Sequence, residues 1–237
     1  MTKAPQAGKV KTRLTPPLSS EEAAALNTCF LRDTAAAISK TVERGAARGI
    51  AVYTPVGAEA AYAEILPREF DLVPQRGDAF GERLAFATED LLRLGFASAC
   101  LIDSDSPTVP QLAFDQAVDF LSHPGDSVVL GPSDDGGYYL IGLKKLHLQL
   151  FEGIDWSTAR VLEQTIQRAR DLNLRVHLLP VWYDVDDRTT LRRLCHEFFD
   201  ANGSTNPGYP APATRQFLDE LLRREGRERI WPNEPKP

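Results

Sequence analysis

The sequence contains few cysteines and no long apolar run. Its three cysteines, Cys29, Cys100 and Cys195, are far apart and odd in number, which argues against a disulfide framework and against a clustered zinc site. No apolar segment approaches the roughly 20 residues that a membrane-spanning helix requires, and the N-terminus lacks the hydrophobic stretch of a secretory signal. These absences predict a soluble protein of the reducing cytoplasm, without a membrane span.

Histidine and positive charge are also scarce. The four histidines share no metal-ligand spacing, which argues further against zinc. Lysine and arginine number 27 against 33 acidic residues, so the net charge is -6. This balance argues against a non-specific binder of nucleic acid or of acidic membranes. We therefore expect any anionic ligand to be captured by a local basic segment.

The pattern that is present is an alternation of short apolar runs with amphipathic helical segments. The chain has 237 residues, of which 43% are hydrophobic and 25% charged, enough for one large α/β domain. Helices are predicted from a capping box at Ser19 and Glu22 up to a break at 45–49, and over 58–65, 81–94, 111–121, 158–169, 189–199 and 214–224. Strands are predicted over 50–53, 72–74, 99–102, 128–130, 138–143 and 175–179.

This alternation predicts a three-layer αβα architecture with a mixed, mainly parallel sheet. The connection between the strands at 128–130 and 138–143 is too short for a crossover helix, so these two strands are predicted to be antiparallel. We expect residues 1–200 to form the main domain. Residues 201–237 are predicted to be a linker and a C-terminal helix that packs on that domain or extends from it.

A pair of carboxylates, Asp103 and Asp105, follows the predicted strand at 99–102. Residues two apart on an extended chain point to the same face, and ligands of open α/β sheets collect at the carboxyl ends of the strands. Mg²⁺ or Mn²⁺ commonly binds one or two carboxylates together with substrate phosphates. The pair is therefore a candidate metal site, and the alternative is that both aspartates cap the following turn.

A basic loop near the start of the chain is the second candidate site. Gly8, Lys11, Thr12 and Arg13 combine a flexible turn, backbone N–H groups and cations, which suits a diphosphate or triphosphate. The loop is not a Walker A motif, because valine follows Lys9 where that motif requires serine or threonine after its lysine. The alternative is a solvated surface segment.

Two glycine-bearing loops extend the candidate site. Gly136 and Gly137 permit a close approach of backbone to ligand, with Asp135 as a candidate base or acceptor-positioning residue; the alternative is a simple hairpin turn. Gln75 and Gly77 follow another strand and offer amide and backbone groups for ligand contacts.

Three acids, Asp184, Asp186 and Asp187, lie between a predicted strand and a predicted helix. Asp187 is the predicted helix N-cap. Asp186 is a further candidate metal ligand, because it would add an acid from a different strand to the pair at 103 and 105. Capping is the alternative for this acid as well.

Six ordered motifs together resemble the glycosyltransferase-A fold of nucleotide-diphospho-sugar transferases. Within that fold the chain is similar to a bacterial family of uncharacterised transferases associated with radical-SAM and selenoprotein gene clusters. The similarity runs from residue 3 to about residue 194. Its motifs are Lys3-Ala-Pro-x-x-Gly8-x-x-Lys11-Thr-Arg13-Leu14, Gln75-x-Gly77-Asp78-x-x-Gly81-Glu82-Arg83, Asp103-Ser-Asp105-Ser-Pro107, Gly131-Pro-x-x-Asp135-Gly-Gly-Tyr-Tyr-Leu-Ile-Gly142, Trp156-Ser-Thr158 and Asp184-Val-Asp186.

The resemblance implies a metal-dependent transferase that takes a nucleotide-diphospho-sugar donor and passes the sugar to an unknown small-molecule acceptor. One alternative is a nucleotidyltransferase that releases pyrophosphate from a nucleoside triphosphate, and another is a nucleotide-binding protein without turnover. On this reading Asp135, Lys11 and Arg13 are the candidate catalytic residues. The metal, Mg²⁺ or Mn²⁺, would be held by Asp103, Asp105 and Asp186, and the donor by Gly8, Lys11, Thr12, Arg13, Gln75, Gly77, Gly136 and Gly137.

The chain departs from the family at its start. Relatives usually carry an apolar strand immediately before the Lys-Ala-Pro loop, whereas Met1 and Thr2 alone precede Lys3 here. We expect this central strand to be missing or replaced by another segment. Its loss would expose sheet edges and remove nucleotide contacts.

Overall fold

The computed structural model describes residues 1–43, 45, 47–200 and 208–230. Strands and helices alternate along most of the chain. The strands are β1 (Thr2–Lys3), β2 (Ile50–Thr54), β3 (Asp71–Pro74), β4 (Ala99–Ile102), β5 (Ser127–Pro132), β6 (Tyr138–Leu143) and β7 (Arg175–Leu178). The helices are α1 (Ser20–Val42), α2 (Phe80–Arg93), α3 (Gln111–Ser122), α4 (Val161–Asp171), α5 (Arg188–Phe199), α6 (Pro212–Glu225) and α7 (Arg227–Ile230).

Within the described residues the strands form two hydrogen-bonded sheets. The first has the order β1-β2-β3 and is parallel throughout. In the second, of order β4-β6-β5-β7, strand β6 is antiparallel to both neighbours and β7 is parallel to β5. The predicted α/β fold and the predicted antiparallel pairing of β5 with β6 are confirmed.

The N-terminus joins the two sheets. Strand β1 pairs with β2 over two residues, and the Met1 amino group donates a 2.7 Å hydrogen bond to the Ile102 carbonyl at the end of β4. A cavity of about 370 Å³ lies between β2 and β4 and is lined mainly by apolar side chains of these strands and of α1 and α3. The two-residue β1 therefore stands where we expected the central strand to be missing or replaced by another segment.

Helices cover both faces of the sheets, because alternate strand residues point to opposite sides. Val129 packs into a core with α1, α3, α5 and α6, whereas its neighbours Val128 and Leu130 pack into a second core with α2 and α4. All three valine and leucine side chains are fully buried. This arrangement confirms the predicted three layers.

Two helix predictions were wrong in extent. The predicted helix at 58–65 is a single 3-10 turn, Glu59–Tyr62, whose last residue packs edge-on against Tyr53 at 5.6 Å. So short a segment gains few hydrogen bonds after nucleation and is held by this tertiary contact instead. Helix α4 begins at Val161 rather than at 158, because Ser157 has a positive φ of 62° and the Thr158 hydroxyl donates to the Asp155 carbonyl.

In the ranges that the structure describes, no helix is both long and apolar enough to cross a membrane. The three cysteines are free thiols; Cys29 and Cys195 are buried and Cys100 is half-buried. Burial raises the pKa of the Cys195 thiol to about 12, so this thiol is unreactive at neutral pH.

The C-terminal helix α6 packs on α1 and is capped by it. Asp33 of α1 is 2% exposed and accepts hydrogen bonds from the backbone N–H groups of Ala213 and Thr214, at 3.0 and 2.8 Å. Leu218 belongs to the same core as the main domain. Residues 201–207, part of the predicted linker, lie outside the described residues, and the domain division at residue 200 stays a prediction.

Replacing Asp33 by alanine is expected to lower the free energy of unfolding by about 2 kcal/mol, because the first turn of α6 would lose its buried acceptor. Urea unfolding of Asp33→Ala measures this loss. The control Asp219→Ala removes a carboxylate that pairs with Arg223 on the helix surface, and should cost less than about 0.5 kcal/mol. Equal losses in the two variants would contradict the capping role of Asp33.

Candidate functional site

The basic loop folds so that Lys11 points inward. Gly8 makes a turn with a φ of +71°, and Lys11 adopts the left-handed conformation at φ 48° before a 3-10 turn over Thr12–Leu14. Leu14 is fully buried and anchors this turn in the core. The Lys11 side chain is 5% exposed as a result, whereas Gly8 lies on the surface.

Lys11 lies between two carboxylates that come from distant parts of the chain. Its Nζ is 2.8 Å from Asp105 Oδ1 and 2.8 Å from Asp186 Oδ1, and it donates to the Val185 carbonyl at 3.0 Å. It also lies over the Phe30 ring at 5.5 Å. Burial lowers the pKa of Lys11, but the two carboxylates outweigh this and raise the pKa above its usual value. Lys11 therefore carries its positive charge at this site.

A pocket of about 270 Å³ opens around this ammonium group. It brings together several residues predicted from the sequence to bind phosphates or metal. The pocket is also lined by residues that were not assigned a role. The predicted residues are Lys9, Lys11, Thr12, Arg13, Asp105 and Asp186, and the others include Lys3, Asn27 and Ser104.

Asp103 does not line this pocket. Its Oδ2 accepts a 2.9 Å hydrogen bond from the Ser106 hydroxyl, and its Oδ1 accepts a 3.3 Å bond from the Asp105 N–H. Burial, and then the charge of Asp105, raise the pKa of Asp103 to about 7. The hydrogen bonds match the turn-capping alternative for Asp103, and its assignment as a metal ligand stays a prediction.

Asp103→Asn is expected to change how the stability of the ligand-free protein depends on pH. In the folded chain Asp103 stays protonated up to its raised pKa of about 7, whereas in the unfolded chain it loses that proton near its ordinary pKa of 3.8. The folded state therefore binds more protons in this interval, and this contribution to stability is lost as the pH rises towards 7. Between pH 5 and pH 8 the free energy of unfolding of the wild type should fall relative to that of Asp103→Asn. Parallel profiles of the two proteins would contradict the raised pKa of Asp103.

Asp184 links the pocket to the loop between β5 and β6. Burial, and then the charges of Asp186 and Asp135, raise the pKa of Asp184 to about 6. The Ser133 hydroxyl donates to Asp184 Oδ1 at 3.3 Å. Asp187, three residues further along the chain, is the N-cap of α5, as predicted, and accepts from the Thr190 N–H at 2.9 Å. Of the acids after β7, Asp187 is therefore a cap, Asp186 lines the pocket, and Asp184 lies close to both Asp186 and Asp135.

Asp135 is exposed at the tip of the β5–β6 loop, outside the Lys11 pocket. Its Oδ1 accepts from the Gly137 N–H at 2.8 Å. Gly136 has a φ of +91°, and a Cβ there would lie 2.3 Å from the Ala159 carbonyl oxygen. Gly136 is thus explained by the turn and its packing, and the contact of both glycines with a ligand stays a prediction.

Gln75 and Gly77 also lie outside the pocket, beyond the end of β3. The Gln75 side-chain nitrogen is 4.0 Å from the Met1 sulfur. Arg76 bridges to Asp90 at 2.6 Å, and Arg83 donates to the Gly77 carbonyl at 3.3 Å. These contacts hold the loop that carries Gln75 and Gly77 against α2, next to the N-terminal residue Met1.

The carboxylate oxygens around Lys11 fit a hard divalent cation, although they come from two residues alone. Asp105 and Asp186 already share one cation, the Lys11 ammonium, and carboxylate oxygens are the ligands that Mg²⁺ and Mn²⁺ prefer. Over residues 1–43, 45, 47–200 and 208–230, no group of three or more His, Cys, Asp or Glu side chains is arranged to hold a metal. The remaining ligands would have to be phosphate oxygens and water.

Asn27 is a pocket residue that the sequence analysis missed. It lies in the middle of α1 and is 4% exposed, yet it lines the pocket. A single asparagine between the apolar residues Leu26 and Phe30 was the available signal. It is a weak one, because helices carry isolated polar residues for many reasons.

Comparisons with known proteins agree with this fold. The structure matches 17 chains of solved structures. One is the "putative nucleotide-diphospho-sugar transferase" from Desulfovibrio desulfuricans G20, with a TM-score of 0.77, 30% sequence identity and coverage of 94% of each chain. No curated protein matches the chain. The model of a family described as "Uncharacterized protein conserved in bacteria (DUF2064)" matches residues 37–158, and the chain belongs to this family.

Proposed function

We propose that this protein is a transferase that binds a nucleotide-diphospho-sugar and passes the sugar to a small-molecule acceptor. The observation that carries the proposal is the position of Lys11 between Asp105 and Asp186, in a pocket that also holds Arg13. The similarity to the Desulfovibrio protein supports a sugar-nucleotide donor.

The pocket has the charge that a diphosphate needs. The chain as a whole carries a net charge of -6, yet Lys3, Lys9, Lys11 and Arg13 all line this one cavity. Ammonium and guanidinium groups bind phosphate oxygens through short, charge-assisted hydrogen bonds. A bound diphosphate would compete with the carboxylates for Lys11, which could then turn towards it.

In the proposed reaction Asp105 and Asp186 would hold Mg²⁺ or Mn²⁺ once Lys11 turns to the diphosphate. The metal, when bound, would neutralise charge that builds on the leaving diphosphate. Lys11 and Arg13 would hold the same diphosphate from the side of the basic loop. Asp103 would support the turn that carries Asp105, through its bond to the Ser106 hydroxyl.

The acceptor side of the proposed site is the β5–β6 loop. Asp135 is exposed there and close enough to Asp184 to affect its ionisation. We assign Asp135 to receive the proton of the acceptor hydroxyl, a role that requires hydrogen-bond distance in the complex. Trp156 packs edge-on against Tyr138 at the start of β6, with ring centroids 6.5 Å apart, and would form part of the wall on this side.

The narrower association with radical-SAM and selenoprotein gene clusters stays a prediction, as does the cytoplasmic location. The free cysteines support a reducing compartment. The acidic net charge supports a small-molecule substrate rather than nucleic acid.

Thermal unfolding with and without Mn²⁺ tests the proposal, using UDP, UDP-glucose, GDP, GDP-mannose and the triphosphates UTP and GTP as probes. A ligand at 100 times its Kd should stabilise the folded state by about 2.7 kcal/mol. Stabilisation by a diphospho-sugar, greater with Mn²⁺ than without, would support the proposal. No shift with any of these nucleotides would contradict the proposal. Incubation with the same nucleotides would also contradict it if pyrophosphate were released from a triphosphate and no nucleoside diphosphate from a diphospho-sugar.

A further inference from the structure

The cavity between the two sheets lies outside the site described so far. It has a volume of about 370 Å³ and is lined by every residue of β4 and by Ile50, Ala51 and Val52 of β2. Apolar side chains of α1, α2 and α3 line it as well, among them Ile38 and Leu91. Anything that fills the cavity must therefore be largely apolar.

The edge of β4 that faces the cavity carries backbone groups without a partner strand. The Asp103 N–H donates to the Tyr139 carbonyl at 2.9 Å, on the β6 side. Successive backbone groups alternate between the two edges of a strand, so those of Cys100 and Ile102 point away from β6. In the part of the chain that the structure describes, no strand pairs with this edge, and the Met1 amino group reaches it at the Ile102 carbonyl.

The edge of β2 across the cavity is open as well. The Tyr53 carbonyl accepts a 2.7 Å bond from the chain at the end of β3, so the backbone groups of Ile50 and Val52 point to the cavity side. Strand β1 lies parallel to β2 with Thr2 opposite Tyr53, which leaves Ile50 without a strand partner on this edge in the described chain. In the same register Met1 lies opposite Val52, and two further residues would lie opposite the first two residues of β2.

These two open edges decide the chemistry of the occupant. Buried backbone N–H and C=O groups are nearly always hydrogen-bonded. An aliphatic molecule would cover the apolar walls but leave both rows of backbone groups unpaired, which is costly. An extended peptide supplies N–H and C=O groups along both of its edges, and a strand that is buried on both faces is rich in valine, isoleucine and leucine.

We propose that this cavity is a docking site for an apolar strand of about four residues that continues β1 ahead of Met1 and joins the two sheets into one. Four residues in the β1 register would reach Arg48, which lines the far part of the cavity. The inference does not depend on the proposed function. It has a consequence for the site, because β1 ends at Lys3, which lines the Lys11 pocket.

The position of the Met1 nitrogen assigns the strand to a segment linked to Met1 rather than to a separate molecule. This nitrogen donates to the Ile102 carbonyl at 2.7 Å, as the N–H of a strand residue beside β4 would. Burial lowers the pKa of the amino group to about 6. A peptide bond at this position would keep the hydrogen bond and remove a poorly solvated charge.

The test links the segment Val-Leu-Ile-Val to the amino group of Met1. The control extension, Ser-Gly-Ser-Gly, has the same length and removes the same terminal charge, but it has no apolar side chains to bury. We expect the apolar extension to raise the melting temperature by about 5 °C or more relative to this control, because its side chains leave water.

Two further measurements distinguish a paired strand from an apolar tail. The extension Val-Leu-Pro-Val keeps most of the apolar surface but lacks the N–H that would donate to the Cys100 carbonyl, and it should give at most about half of the rise. Amide hydrogen exchange reports the pairing itself. In the Val-Leu-Ile-Val chain the N–H groups of Val52 and Ile102 should exchange at least about tenfold more slowly than in the Ser-Gly-Ser-Gly chain.

Equal melting temperatures of the apolar and polar extensions, or unchanged exchange at Val52 and Ile102, would overturn the proposal. A full rise with the proline-containing extension would do the same, because the contact would then need no strand pairing. Decanoate and the free peptide acetyl-Val-Leu-Ile-Val-amide are added separately to the chain without an extension. If either stabilised it as much as the linked segment does, the cavity would belong to a separate ligand. None of these measurements uses a nucleotide, so the proposed function would stand whatever their result.

Discussion

Replacing Lys11 by methionine is expected to weaken binding of a nucleoside diphosphate by about 30-fold or more. Truncating one partner of a buried, hydrogen-bonded charge pair typically costs 2–5 kcal/mol, roughly 30-fold to several thousandfold in affinity. Lys11 is 5% exposed, so water cannot replace its contact with a phosphate group. Calorimetric titration of Lys11→Met with UDP and GDP measures the effect.

The same variant should bind Mn²⁺ more tightly when no nucleotide is present. The Lys11 ammonium lies 2.8 Å from both Asp105 and Asp186, so it competes directly with a divalent ion for their oxygens. Removing it leaves two neighbouring carboxylates without their shared cation, which favours a replacement ion.

Lys145→Met is the matched control for this experiment, because the Lys145 side chain is 72% exposed and outside the pocket. Neither affinity should change in the control. If Lys11→Met bound Mn²⁺ no better than the wild type, a competing role for the ammonium would be contradicted. If it bound nucleotides as well as the wild type, the phosphate role of Lys11 would be excluded.

Asp105→Ala is expected to abolish the part of nucleotide binding that depends on Mn²⁺. Of the two carboxylates on Lys11, Asp105 is the less exposed, at 35% against 42% for Asp186. The proposed metal has two protein ligands here, so loss of Asp105 leaves Asp186 as its single carboxylate. Phosphate oxygens and water would then have to supply every other ligand. Thermal unfolding with UDP-glucose or GDP-mannose, with and without Mn²⁺, measures the difference.

The control for Asp105 is Asp119→Ala, which removes an exposed carboxylate near the end of α3. Its Mn²⁺-dependent shift should match that of the wild type. A wild-type shift in Asp105→Ala would remove Asp105 from the metal assignment. In that case Asp186 would be the remaining acid that lines the pocket.

The features that could be predicted from the sequence depend on neighbouring residues. Ser19 and Glu22 form the predicted capping box at the start of α1, and Asp187 caps α5, because each cap involves residues three apart. The antiparallel pairing of β5 and β6 followed from the short connection between them. The same local logic placed Asp105 at the end of a strand.

The features that could not be predicted depend on contacts between distant segments. Lys11 and Asp186 are 175 residues apart, and the ion pair between them follows from the way the basic loop packs against the segment between β7 and α5. Asp103 and Asp105 share a motif, yet one faces the Ser106 hydroxyl and the other faces Lys11. Neither the sign of a charge nor its spacing along the chain distinguishes these environments.

The central claim is that Lys11 holds the place of a divalent cation between Asp105 and Asp186 until a diphosphate binds. A crystal structure with UDP-glucose or GDP-mannose and Mn²⁺, measured at a wavelength where manganese scatters anomalously, tests it most directly. We predict an anomalous peak between Asp105 and Asp186, with Lys11 and Arg13 in contact with the diphosphate. A bound donor whose diphosphate lies outside this pocket, with Lys11 still on both carboxylates, would contradict the claim.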